Sequence, residues 1–144
     1  MQDRNSFCTF RVGPLKLGVE VHRVQEVIRE QSMTHVPGAN AQVDGLMNLR
    51  GQIVCALNLR RCLGVEPVND EGEPRMNVVL QTAEQPVSLL VHEIGDVLVV
   101  DRDSFEPLPE TLQGVARELI RGAFKLNDEL LLVLNTDIVL SRAA

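Results

Sequence analysis

Apolar residues recur along this chain in short runs rich in Val, Leu and Ile. Gly, Pro, Asn and Asp interrupt the runs before a helical period can establish itself. The pattern predicts strands at residues 7–12, 15–21, 33–36, 43–49, 52–57, 76–82, 86–91, 95–100, 119–126 and 129–134. Gly13-Pro14, Arg50-Gly51 and Asn127-Asp128 fall between successive runs and predict hairpin turns. Short helices are expected after Asn58 and Asn135, whose side chains can accept from the free amides of a first helical turn, and Gly64 can close the first of them. The fold class that follows is all-β with short helices.

Residues 64–75 (GVEPVNDEGEPR) are acidic, hold two prolines and offer little to bury, so they predict a surface loop linking a first half, 7–64, to a second, 76–140. A second loop is expected around Pro107 and Pro109. Splitting the chain at the first loop exposes an internal echo. Val21-His22-Arg23-Val24-Gln25-Glu26-Val27-Ile28 has the pattern of Val91-His92-Glu93-Ile94-Gly95-Asp96-Val97-Leu98. Ala56-Leu57-Asn58 with Leu63 is matched in the same way by Val133-Leu134-Asn135 with Leu140. A unit of that size buries little on its own, so the halves are expected to share one core or trade strands within a single domain spanning 1–144. A cleft between them would be a natural docking groove.

Composition narrows the function. A chain of 144 residues with 44% hydrophobic content can bury a proper core. A formal net charge of −6, no basic run, no Trp and no Tyr argue against nucleic acid and against an anionic membrane surface. No apolar run is long enough to span a bilayer, and Met1-Gln2-Asp3-Arg4-Asn5 is too polar to open a secretory signal, which points to the cytoplasm. Three cysteines, with Cys55 and Cys62 in apolar stretches, suit reduced buried thiols better than a disulfide framework.

Catalytic and metal signatures do not surface. There is no nucleophile elbow, no phosphate-cradling glycine loop and no dinucleotide fingerprint. His92-Glu93 begins like a zinc motif, but Asp96 stands where the second histidine belongs. A thiol of Cys55 or Cys62 brought by folding to His35 or His92 would be the one route to an enzyme. Neither a metal nor a cofactor is expected. Glu26, flanked by Val24 and Val27, fits a polar rim beside an apolar patch, and Arg50 projects from a tight turn where its guanidinium can meet a partner's carboxylate.

Gly45-Leu46-Met47-Asn48-Leu49-Arg50-Gly51-Gln52-Ile53-Val54 resembles the signature of the CheW family. The likeness runs from Phe7-Cys8-Thr9-Phe10-Arg11-Val12-Gly13 through Val24-Gln25-Glu26-Val27 and Val36-Pro37 to Leu132-Val133-Leu134-Asn135. The resemblance implies two small intertwined β-barrels with a hydrophobic groove between them, no catalytic activity, and a chain monomeric by itself that is built into receptor–kinase arrays at the inner membrane. One barrel would contact the regulatory domain of the histidine kinase CheA, and the groove would take the helical hairpin tip of a chemoreceptor. Carried over by position, the partner-binding residues would be Val21, Val24, Glu26, Val27, Gly45, Asn48 and Arg50 from the first half and Ile94 and Val97 from the second. Val24 would stand opposite Ile94, and Val27 opposite Val97. An adaptor serving a pathway other than motility is equally compatible with these residues. The chain departs from the family at Cys55, usually Pro, and at Asn58, His92 and Asn135, usually Asp. Asn caps a helix about as well as Asp, while His92 alters local charge and with it partner choice.

Overall fold

The computed structural model describes residues 5–67, 72–110, 112 and 114–143. Where turn residues bound a run of Val, Leu and Ile, the run is extended. The strands are β1 (Ser6–Val12), β2 (Leu15–Glu20), β3 (Val24–Ile28), β4 (Val43–Leu49), β5 (Gln52–Asn58), β6 (Met76–Leu80), β7 (Val87–Val91), β8 (Glu93–Val99), β9 (Phe105–Glu106), β10 (Ile120–Lys125) and β11 (Leu130–Leu134). Among the described residues there are also three α-helices of one or two turns, α1 (Leu59–Leu63), α2 (Val115–Leu119) and α3 (Thr136–Ser141), and two single 3-10 turns at Val21–Arg23 and Arg102–Ser104.

The expected turns and caps form. Gly13-Pro14 joins the antiparallel pair β1–β2, Arg50-Gly51 joins β4–β5, and Asn127-Asp128 joins β10–β11. Arg50 and Gly51 both take positive φ, at 50° and 90°, the pairing that lets a two-residue loop follow the strand twist. The Arg61 amide donates to Asn58 Oδ1 at 3.2 Å and the Ile138 amide to Asn135 Oδ1 at 3.3 Å. Gly64 closes α1 in the left-handed conformation at φ 70°.

Four local expectations need correction. Residues 33–36 give no strand, only a bridge in which Thr34 and Leu46 exchange backbone bonds, because Pro37, which has no amide to donate, and Gly38 end the run within three residues. Val21 does not end β2 but sits in a 3-10 turn, Val21–Arg23. Val24–Ile28 is itself a strand. The strand expected at 119–126 forms as β10, but Leu119 closes an unexpected helix, α2, where Ala116 and Leu119, three apart, turn the same way into the core. Of the expected acidic linker, residues 68–71 lie outside the described residues.

The halves trade strands. A six-stranded sheet has the order β8-β1-β2-β11-β10-β9, and a five-stranded sheet the order β3-β6-β7-β5-β4. Each is built on a hairpin from one half, β1–β2 or β6–β7, and flanked by strands of the other half. The joints are the two parallel pairs, β2 with β11 and β5 with β7. The echoed segments therefore occupy equivalent places, β3 on the edge of one sheet and β8 on the edge of the other. In each sheet the chain leaving that edge comes round to the opposite one: from β8 through β9 onto β10, and from β3 through Thr34 onto β4.

Three apolar clusters follow from this wrapping. Phe7, Val100, Phe124, Leu131 and Val133 group in the six-stranded sheet, and Met47, Leu49, Val54 and Val79 in the five-stranded one. A much larger cluster takes Phe10, Leu17, Leu57, Leu89, Leu132 and Leu134 from both sheets. The halves thus share a core, as their size requires.

Candidate docking site

In a regular strand, residues three apart point to opposite faces, which would separate Val24 from Val27 and Ile94 from Val97. A bulge in each edge strand reverses this. On β3, Val24 pairs with Leu80 and Val27 with Val78, the register slipping between Val24 and Glu26. On β8, Ile94 pairs with Phe10 and Val97 with Cys8, with a slip at the equivalent place. Directly paired residues share a face, so Val24 and Val27 lie with Val78 and Leu80, and Ile94 and Val97 with Phe10. Leu80, Val78 and Phe10 belong to the shared core. Val24 and Ile94 are half-buried against that core, whereas Val27 and Val97 stand at its margin with 39% and 58% of their surface exposed. Each edge strand thus presents one anchored and one free aliphatic side chain on the face where the sheets meet.

The charged and polar candidates fall into a separate group. Glu26 lies on the other face of β3, paired with Val79, and its carboxylate accepts from Arg50 Nη2 at the tip of the β4–β5 hairpin. β3 and β4 are the two edges of the five-stranded sheet, so this ion pair spans the gap between them. Two charges expected as independent contacts at a rim are thus one pair. Asn48 is exposed, and its Oδ1 accepts from the Gly51 amide at 2.9 Å, bracing the turn that carries Arg50. Gly45 is buried, and an added Cβ would lie 2.8 Å from the Thr34 carbonyl oxygen. Val21 is half-buried. Sequence reading placed Thr34 in a short strand but not against Gly45, because a contact between segments this far apart in the chain has no local signal.

The thiols are not activated, and one of the imidazoles, that of His92, is held by backbone groups. Burial pushes the Cys62 thiol up to about 11 and raises those of Cys8 and Cys55, the opposite of nucleophile activation. Cys62 is buried as expected; Cys8 and Cys55 are half-buried. His92 uses both ring nitrogens. The Gly13 amide donates to Nδ1 at 3.0 Å, which puts the ring proton on Nε2, 2.9 Å from the Gly72 carbonyl oxygen. No group of three or more His, Cys, Asp or Glu among the described residues is placed to hold a metal ion.

Glu73 fastens the end of the linker to α1. Its carboxylate accepts from Asn58 Nδ2 at 2.9 Å and from Arg60 Nη2 at 3.3 Å, with Arg61 Nη2 at 3.8 Å. The Asn58 amide, and after it the two guanidinium groups, hold the Glu73 carboxyl below its ordinary range against partial desolvation. A depressed folded-state value means stability that is present above the unfolded glutamate value, roughly 4.3, and lost as pH falls through the lower folded one. Glu73 is well solvated, so the effect is small. The difference in Tm between the native protein and Glu73→Gln is expected to be present at neutral pH and to vanish on acidification below that range; a difference constant with pH would contradict the assignment.

Comparison with known proteins agrees with this architecture. The family profile described as the CheW-like domain matches residues 6–144. A probable chemotaxis protein CheW of Rhizobium etli is 26% identical over 140 residues, covering 97% of this chain and 90% of its own. Protein PilI of Pseudomonas aeruginosa is 26% identical over 115 residues, covering 80% of this chain and 64% of its own. The crystal structure of the scaffolding protein TtCheW from Thermoanaerobacter tengcongensis superposes with a TM-score of 0.80 at 20% identity, covering 94% of this chain and 86% of that one.

Proposed function

This chain belongs to the CheW family of non-catalytic chemotaxis scaffolds, and we propose that it couples the cytoplasmic tips of chemoreceptors to the regulatory domain of the histidine kinase CheA. The observation that carries this reading is the pair of bulged edge strands. Val24 and Val27 on β3 and Ile94 and Val97 on β8 offer aliphatic side chains at matching intervals on the face where the sheets meet. An amphipathic helix reads such a surface through anchors on one of its faces. Arg50 and Glu26 offer a donor and an acceptor on the five-stranded sheet, and a partner carboxylate can compete for the exposed guanidinium. The chain would work in the cytoplasm, at receptor–kinase arrays. No helix among the described residues is long and apolar enough to cross a membrane.

Val27 and Val97 are the informative positions, because Val24 and Ile94 also support the core. Val27→Asp and Val97→Asp are each expected to weaken binding of a receptor-tip hairpin by about tenfold or more, about 1.4 kcal/mol, with Tm unchanged. Arg50→Ala should likewise leave Tm in place, since an exposed ion pair contributes little to stability, while lowering affinity for receptor or kinase fragment. Isothermal titration of the purified chain with each fragment reads all three, and native affinities throughout would sink the proposed surface. A second reading is the same scaffold serving a pathway other than motility, and the likeness to PilI, a relative whose name is not that of a chemotaxis protein, is what keeps it in view. Capture of the native protein with its bound kinase and receptor, followed by their identification, decides between the two.

A further inference from the structure

Three of the four phenylalanines meet at one end of the six-stranded sheet. Phe7 near the start of β1 lies 5.6 Å from Phe124 of β10, and Phe105 of β9 meets Phe124 edge-on at 5.0 Å, ring centroid to centroid. They line a cavity of about 510 Å³ that is open to solvent. Phe7 and Phe124 are buried, while Phe105 keeps 45% of its surface exposed and so offers a ring to a ligand. Phe105 can lie flat against β10 only because residue 122 is glycine: a Cβ there would fall 2.1 Å from the ring. The aromatic wall is therefore built in by the backbone.

The rim of this cavity is cationic in a chain whose net charge is −6. Arg102 donates through Nε to the neutral Asn5 Oδ1 at 3.2 Å and has no carboxylate partner among the described residues, leaving its terminal fork unengaged. Arg121 approaches the Glu20 carboxylate only to 3.9 Å, beyond hydrogen-bond distance. His22 completes the rim, and its imidazole makes no hydrogen bond among the described residues. Two guanidinium groups thus face one carboxylate above an aromatic floor. The volume lies in the range of small-molecule sites.

We propose that this cavity binds a small aryl monocarboxylate, its ring against Phe105 and Phe124 and its carboxylate between Arg102 and Arg121. Guanidinium suits a planar carboxylate because its donors form a matching fork. Aromatic pairs stack offset or edge to face, as Phe105 and Phe124 already do. Glu20 sets the charge of the ligand, since a second anionic group would meet it across the cavity. Val27, Val97 and Arg50 are not among the residues that line it, so substitutions at those positions test the docking surface without removing a group from this cavity.

Naphthoate is the probe, titrated into the whole chain while aromatic carbon–proton NMR spectra are recorded. Saturable shifts of the Phe7, Phe105 and Phe124 rings are expected. Arg102→Ala and Arg121→Ala should each weaken binding by about tenfold, Glu20→Gln should tighten it, and naphthalene methanol, which lacks the charge, should bind about tenfold more weakly. Naphthalene dicarboxylate should bind less well than naphthoate. No saturable shift up to the solubility limit, shifts at other residues, equal affinity for the neutral analogue, or indifference to both arginine substitutions would each overturn the proposal.

Discussion

Leu89→Ala is expected to cost about 2–5 kcal/mol of stability, the range for emptying a fully buried leucine site, and to loosen both sheets together. Leu89 is fully buried at the centre of β7, paired with Val78 on one side and Leu57 on the other. Its cluster reaches Phe10 and Leu17 on β1 and β2 and Leu132 and Leu134 on β11. A loss of that size is a large share of what holds a domain of this length together. The chain has neither Trp nor Tyr, so urea unfolding is best followed by far-ultraviolet circular dichroism and by amide exchange on each sheet. Exchange in β10 and β11 should accelerate in step with exchange in β6 and β7. If β10 and β11 kept native protection while β6 and β7 lost theirs, the two sheets would be separable units, and the shared core would not be what couples them.

Gly45→Val should be the most damaging single change within the group of partner-binding candidates, and for a reason unrelated to contact with a partner. The Thr34 carbonyl oxygen would be 2.8 Å from a Cβ at this position, against backbone rather than a side chain that could swing aside. That carbonyl accepts from the Leu46 amide at 2.9 Å, and the Thr34 amide donates back to Leu46 at 2.8 Å. Inserting a side chain must part the Thr34 bridge from β4, at a cost of about 1–3 kcal/mol by analogy with overpacked cores. Tm should fall, and the Thr34 and Leu46 amides should exchange faster than in the native protein. Any loss of the proposed receptor-tip binding would then track the loss of the Thr34 bridge, in contrast to Arg50→Ala. A variant that kept its Tm and lost binding would make Gly45 a contact residue.

Much of the local structure can be read directly from the chain. Asn58, Asn135 and Gly64 cap their helices and the three two-residue turns reverse their strands, because these features depend only on residues within a few positions of one another. The internal echo also holds, with 21–28 and 91–98 in equivalent places. What the chain alone leaves open is which strand lies beside which. The parallel joints of β2 with β11 and β5 with β7 connect residues far apart in sequence, and a parallel pair has no turn to announce it.

The proposed docking residues divide along the same line. Val24, Val27, Ile94 and Val97 are legible as a repeated apolar spacing, but a spacing of three is wrong for one face of a regular strand. Only the bulges, set by how β3 meets β6 and β8 meets β1, bring each pair to one side. Arg50 and Glu26 stand 24 residues apart and meet because the two edges of the five-stranded sheet come together. Sequence by itself determined most of the strands, though not β3 or β9, together with the turns, caps and duplicated pattern, since each of these arises from short-range sterics and hydrogen bonding. Tertiary structure decided the exchange of strands, the direction of the paired valines and the Glu26–Arg50 contact, because each depends on burying both halves in one core.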